Sequence, residues 1–150
     1  MIEIVSTIAM MAGSVLLFGY WFRYTCLLIL SARTTRDYAG AVAAANKLSF
    51  LEVQSVLREH SVTDLDRLKD SLDRDYKVLT YLLKHAANSS RGEDAVEKRM
   101  LEIHYRLMGA WYRTSRNLSP SAAYRALDEM ASVVAHFANS MGAQTSASAA

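Results

Sequence analysis

The sequence predicts an all-α protein, with a single transmembrane helix at the N-terminus followed by a small antiparallel helical bundle. About three long helices and one or two short ones make up that bundle. Three observations carry the prediction. Ile4 to Phe22 is an uncharged apolar run, which as helix rises ~1.5 Å per residue and so approaches the hydrocarbon thickness of a bilayer. Farther along, apolar residues recur at spacings of three and four, the signature of one-sided helices. One proline and six glycines in 150 residues are too few for a protein of many turns or strands.

The apolar run ends in Tyr20-Trp21-Phe22-Arg23-Tyr24. Tyr and Trp prefer the lipid–water boundary and Arg snorkels to it, so Tyr20, Trp21, Arg23 and Tyr24 are the expected membrane-interface residues. A cleaved signal peptide is disfavoured. Only Glu3 is charged before the run, and Tyr-Trp-Phe-Arg-Tyr-Thr-Cys offers no small-residue cleavage site. The N-terminal flank has no Lys or Arg, whereas Arg23, Arg33 and Arg36 follow the run. The positive-inside rule therefore predicts a cell-membrane protein with its N-terminus outside and its C-terminal domain in the cytoplasm. Cys26, the lone cysteine, permits no intrachain disulfide and reads as a small apolar residue of the helix or as a reactive or lipidated thiol. Ala9-x-x-x-Gly13 is a small-xxx-small pattern that allows close helix approach. Leu27 to Leu30 admits two accounts: the span runs on with Arg23 snorkelling, or it ends near Tyr24 and this stretch packs elsewhere.

The expected division is anchor and juxtamembrane segment 1–31, cytoplasmic bundle 32–142 and disordered tail 143–150. Asp37 to Asn46 is Ala-rich and helical. Ser49 with Glu52 reads as a capping box opening a short helix that carries Phe50, Val53, Val56 and Leu57. Thr63 and Asp66 form a second cap, and Leu65, Leu68, Leu72, Leu79, Leu82 and Ala86 give the following stripe. Asn88-Ser89-Ser90-Arg91-Gly92 breaks the pattern. The next helix starts near Glu93 or Asp94, with Val96, Met100, Ile103, Leu107 and Ala110 as its expected buried stripe. Ser119-Pro120 is a cap followed by a residue pre-shaped for the first turn. Ala123, Leu127, Met130, Val134, Phe137 and Met141 line the last helix, which Gly142 is expected to stop. The small, polar residues from Ala143 onward read as disordered.

Seventeen basic and fifteen acidic residues leave a net charge of +2, a balance that argues against nucleic acid as a partner. There is no Gly-rich phosphate loop, Gly-x-Ser-x-Gly or His-Glu-x-x-His. His60, His85, His104 and His136 do not pair at metal-ligand spacing, so no catalytic residue, cofactor or metal is expected. The Asp residues from Asp64 to Asp75 interleave with Arg and Lys, as on a solvated face, except that Asp75 lies close to the apolar stripe, at a boundary or paired with an Arg of a neighbouring helix. Aromatics alternate with cations around Tyr105, Arg106, Trp111, Tyr112, Arg113 and Arg116. The plain reading is core aromatics with arginines snorkelling from them. The functional reading makes Arg106, Arg113, Arg116 and Arg125 contacts to an anionic surface.

The expected function is therefore that of a non-enzymatic single-pass membrane protein. Its bundle serves as an interaction module or accessory subunit, with the lipid bilayer and a protein partner or a second copy as its contacts. Two rivals stand beside it. One is a module binding a membrane surface or nucleic acid through the basic, aromatic helix. The other is a membrane-bound enzyme with a site inside the bundle, built on Asp75, Tyr76 or His104.

Overall fold

The computed structural model describes residues 1–32, 37–60, 64–86 and 92–149. Among these it contains six helices and no strand: α1 (Ile2–Ser31), α2 (Ala39–Asn46), α3 (Phe50–Glu59), α4 (Leu65–Ala86), α5 (Gly92–Ser115) and α6 (Pro120–Ser148). They fall into two compact units, Met1–Ala32 and Arg33–Ala150. Arg33, Arg36, Thr63 and the break at Asn88 to Arg91 lie outside the described residues.

α1 is one uninterrupted helix of 30 residues, about 45 Å long at the usual rise. It is long and apolar enough to cross a membrane, and Leu27 to Leu30 continue it without a break. Its hydroxyl side chains bond back to the preceding turn: Thr7 to the Glu3 carbonyl, Ser14 to Met10 and Thr25 to Trp21, at 2.8–2.9 Å. Such back-bonding satisfies the polar groups that a membrane would leave without water. Tyr20 stacks on Tyr24, and Trp21 meets Tyr24 edge-on, so the aromatic cluster forms a patch over roughly one turn.

The second unit is built around α6. Ser119 is extended (φ −150°, ψ 101°) and Pro120 opens the helix, as the dipeptide predicts. Ala123, Leu127, Met130, Val134 and Phe137 are buried, but so are Ala126, Ala131, Val133 and Ala138. This wide buried arc is what a central helix needs, and α2, α3, α4 and α5 all pack on α6. Small residues recur along it and let the neighbours come close.

Gly142 does not stop α6, and 143–148 are helical rather than disordered. Gly142 is buried because the chain entering α2 crosses it: a Cβ here would lie 2.2 Å from Cβ of Tyr38. Asn139 Oδ1 accepts the Tyr38 N–H at 2.8 Å, and Ser146 Oγ donates to the Tyr38 hydroxyl at 3.3 Å. The last turns are thus tied to the start of α2.

Ser49 N-caps α3, but its side chain makes no cap bond, so the expected box with Glu52 does not form. The carboxylate of Asp75 on α4 does that work from across the fold. Its Oδ2 accepts the Ser49 N–H at 2.7 Å and the Ser49 hydroxyl at 3.3 Å, while Arg74 donates to Ser49 Oγ at 3.2 Å. Asp75 is fully buried, a position that a carboxylate holds only with donors of this kind. Asp64 caps α4 through the Arg67 N–H; of the expected pair, Thr63 lies outside the described residues and Asp66 accepts from Tyr112 and Arg116 instead.

Candidate interaction surface

α5 has two faces, and the sequence reading placed the wrong one inside. Among its described residues, those buried are Leu101, His104, Tyr105, Met108, Gly109, Tyr112 and Ser115. Of the expected stripe, Val96, Ile103, Leu107 and Ala110 are exposed and Met100 is half-buried. Both sets repeat at helical spacing, so periodicity alone could not choose between them. Polar partners on neighbouring helices decide the matter.

Toward α4, two tyrosines one heptad apart reach two aspartates one heptad apart. Tyr105 donates to Asp73 at 2.9 Å and Tyr112 to Asp66 at 2.8 Å, which sets the two helices antiparallel. Lys69 pairs with Asp73, and Nη1 of Arg116 reaches both oxygens of Asp66 at 2.7 and 2.8 Å. Tyr105 also stacks on Tyr76, ring centroids 3.9 Å apart. The Tyr112 hydroxyl holds the Asp66 carboxyl below its usual range; desolvation opposes it, and the Arg116 guanidinium adds to the lowering. Burial pushes Tyr76 up to about 12. Burial, with Asp73 and Asp66 respectively beside them, raises Tyr105 and Tyr112 as well.

Toward α6, histidine faces glutamate twice, once hydrogen-bonded and once close without the alignment of a hydrogen bond. His104 Nε2 lies 3.2 Å from Glu129 Oε2, and His136 Nε2 lies 2.7 Å from Glu97 Oε1. Each helix supplies one Glu and one His seven residues later, so the two bridges are related by an approximate twofold between antiparallel helices. They sit about 10 Å apart along the helix. Among the described residues no group of three or more His, Cys, Asp or Glu comes together as a metal ion would require.

The residues proposed for an enzymatic site are engaged separately: Asp75 with Ser49, Tyr76 with Tyr105, and His104 with Glu129. The four arginines proposed for an anionic surface do not form one patch. Arg116 is committed to Asp66. Arg125 lies on α6, where with Arg58, His60 and Tyr124 it lines a groove of about 700 Å³. Arg106 and Arg113 are exposed on α5. Tyr20, Trp21 and Tyr24 are exposed on α1, as interface residues would be; Arg23 lies among them in sequence and is exposed too.

The outer face of α5 is apolar and exposed. Val96, Ile103, Leu107 and Trp111 are 61%, 48%, 50% and 52% exposed. A helix normally turns such a stripe to a core, and a contiguous one left outside marks a contact surface. Val96, Ile103 and Leu107 were expected inside the bundle and stand outside it instead, joined by Trp111, which was not part of the expected stripe. Comparison with known proteins finds no matching family model, curated protein or solved structure.

Proposed function

We propose that this chain is a non-enzymatic, single-pass membrane protein whose helical bundle docks a protein partner, as an accessory subunit of a membrane complex. α1 is the anchor, placed in the cell membrane with its N-terminus outside. The distribution of Arg23, Arg33 and Arg36 after the run supports a cytoplasmic bundle. The observation that carries the docking reading is the second apolar stripe of α5, exposed along more than three turns while the first is fully used by α4 and α6. Ordinary apolar anchoring of a helix into a groove or against another helix would cover it.

The test is purification of the full-length chain from its native membrane in mild detergent, beside an Ile103→Asp/Leu107→Asp variant. A stoichiometric membrane protein recovered with the parent chain and lost from a folded variant is the expected result. Equal recovery with both chains would sink the assignment of this face.

A second reading has its own support. Trp111 beside Arg106 and Arg113 is the residue mixture of helices that lie on anionic lipid. Salt-sensitive cosedimentation of the detergent-free bundle side with anionic vesicles, abolished by Arg106→Glu/Arg113→Glu, would favour it over a protein partner.

A further inference from the structure

The exposed stripe of α5 has the register of a helix–helix seam. Val96, Met100, Ile103, Leu107, Ala110 and Thr114 follow one another at alternating spacings of four and three, which is the a/d pattern of a heptad repeat. Along one edge of that seam run Arg99, Arg106 and Arg113, each seven residues after the last, at the positions from which side chains reach across to a partner helix. Arg99 lies 3.7 Å from Glu102 on its own helix. Arg106 and Arg113 make no ion pair among the described residues. On the opposite edge stand Glu97, already bridged to His136, the buried His104, and Trp111.

This charge pattern says what can lie on the seam. In a parallel pair with a second copy, Arg99 would face His104, Arg106 would face Trp111 and Arg113 would face Leu118. In an antiparallel pair the arginine rows would face each other. Neither arrangement offers a carboxylate, and like charges across a seam cost affinity. The row is also confined to one edge, whereas a helix lying on lipid carries its cations across its whole polar face. Ala110 and Thr114 are small, which suits close approach of a helix and adds little to insertion in lipid. We infer that the occupant is an α-helix of another protein, with an apolar heptad seam and Glu or Asp along the edge that meets Arg99, Arg106 and Arg113.

This inference rests on the docking reading and deepens it, and the experiment separates the two. A photoreactive diazirine amino acid is placed at position 107 of the full-length chain in its native membrane, and the adduct is mapped by mass spectrometry. It is repeated with Arg99→Glu/Arg106→Glu/Arg113→Glu and with the three Arg→Lys changes. Each exposed interhelical ion pair is worth about a factor of two in binding, so turning three attractions into three repulsions weakens association on the order of fifty-fold. The expected result is an adduct on a helix of another protein, with acidic residues within a turn of the labelled site. Charge reversal should abolish it and lysine should retain it, with an unchanged helical melt in both. A protein adduct lacking nearby acids, or one indifferent to charge reversal, overturns the acidic-helix inference and leaves the docking reading standing. An adduct on lipid or on a second copy, or none at all, overturns both.

Discussion

Truncating α5 separately on its two faces measures which of them the bundle buries. Leu101 is fully buried and Leu107 half exposed, although they lie less than two turns apart on the same helix. Removing a fully buried Leu side chain to Ala loses its transfer free energy and leaves a cavity, together about 3 kcal/mol. Leu107 has roughly half its area to lose and leaves no enclosed void, so Leu107→Ala should cost about 1 kcal/mol. The difference of about 2 kcal/mol is close to a thirtyfold change in the unfolding equilibrium. For a domain of this size it moves the melting midpoint by roughly 10 °C. The assay is thermal unfolding of the full-length chain in detergent micelles by far-UV circular dichroism, in which α1 stays helical and the bundle supplies the transition. Ile103→Ala should behave as Leu107→Ala does, and Met108→Ala as Leu101→Ala does. If Leu107→Ala melted as low as Leu101→Ala, α5 would be rotated from the orientation described above, and the docking argument would fall with it.

Asp75→Ala should destabilise the bundle by about 3 kcal/mol, because it strands the Ser49 N–H and removes a charge-assisted bond at the start of α3; urea unfolding gives the value, and amide exchange should show α3 loosening first. Gly142→Ala should cost at least about 1 kcal/mol despite the better helix propensity of Ala, since overpacking against Tyr38 outweighs a gain of about that size. An increase in melting temperature would refute the close approach. Alkaline pH should destabilise the fold through its tyrosines. With Tyr76 pushed from 10.0 up to about 12, the unfolded chain gives up this proton first. The stabilisation is therefore full below pH 10 and is lost as pH rises through about 12. Tyr76→Phe should flatten that part of the pH–stability curve, and an unchanged slope would show that Tyr76 is not protected.

α1 and α6 were legible because each has one strong local signal: the uncharged apolar run in one, Ser119-Pro120 and a broad apolar face in the other. The rotation of α5 was not, because hydropathy favours Val96, Ile103 and Leu107 over His104, Tyr105 and Tyr112. Those three polar-tipped residues become good core residues only once Glu129, Asp73 and Asp66 arrive from helices distant in sequence. Asp75 was legible as a residue beside the apolar stripe, but its donor was not, because Ser49 lies 26 residues away. At Gly142 the local rule that glycine ends helices lost to a tertiary one, that only glycine fits beneath Tyr38. The last residues read as a tail because Ala, Ser and Thr carry no apolar stripe. In the fold, Thr145, Ser146 and Ser148 fold their hydroxyls back onto the carbonyls of their own helix. Of the arginines expected at an anionic surface, Arg106 and Arg113 are exposed on α5 in one row with Arg99, and Arg125 is exposed on α6. Arg116 was lost to Asp66, a partner fifty residues back.

The paired bridges between α5 and α6 also bear on how the chain avoids folding wrongly. Two antiparallel helices with heptad-spaced apolar faces can slide past each other by one heptad and still bury much the same surface. Here such a slip is penalised in both directions. Moved one way, His104 would meet His136; moved the other, Glu97 would meet Glu129. Only the native alignment sets each carboxylate against an imidazole, so the four residues act as a vernier that reads zero at a single setting. That setting also fixes the outer seam of α5 relative to the rest of the bundle. A mispaired α5 would carry its arginine row some 10 Å along the molecule, out of step with the partner helix proposed above.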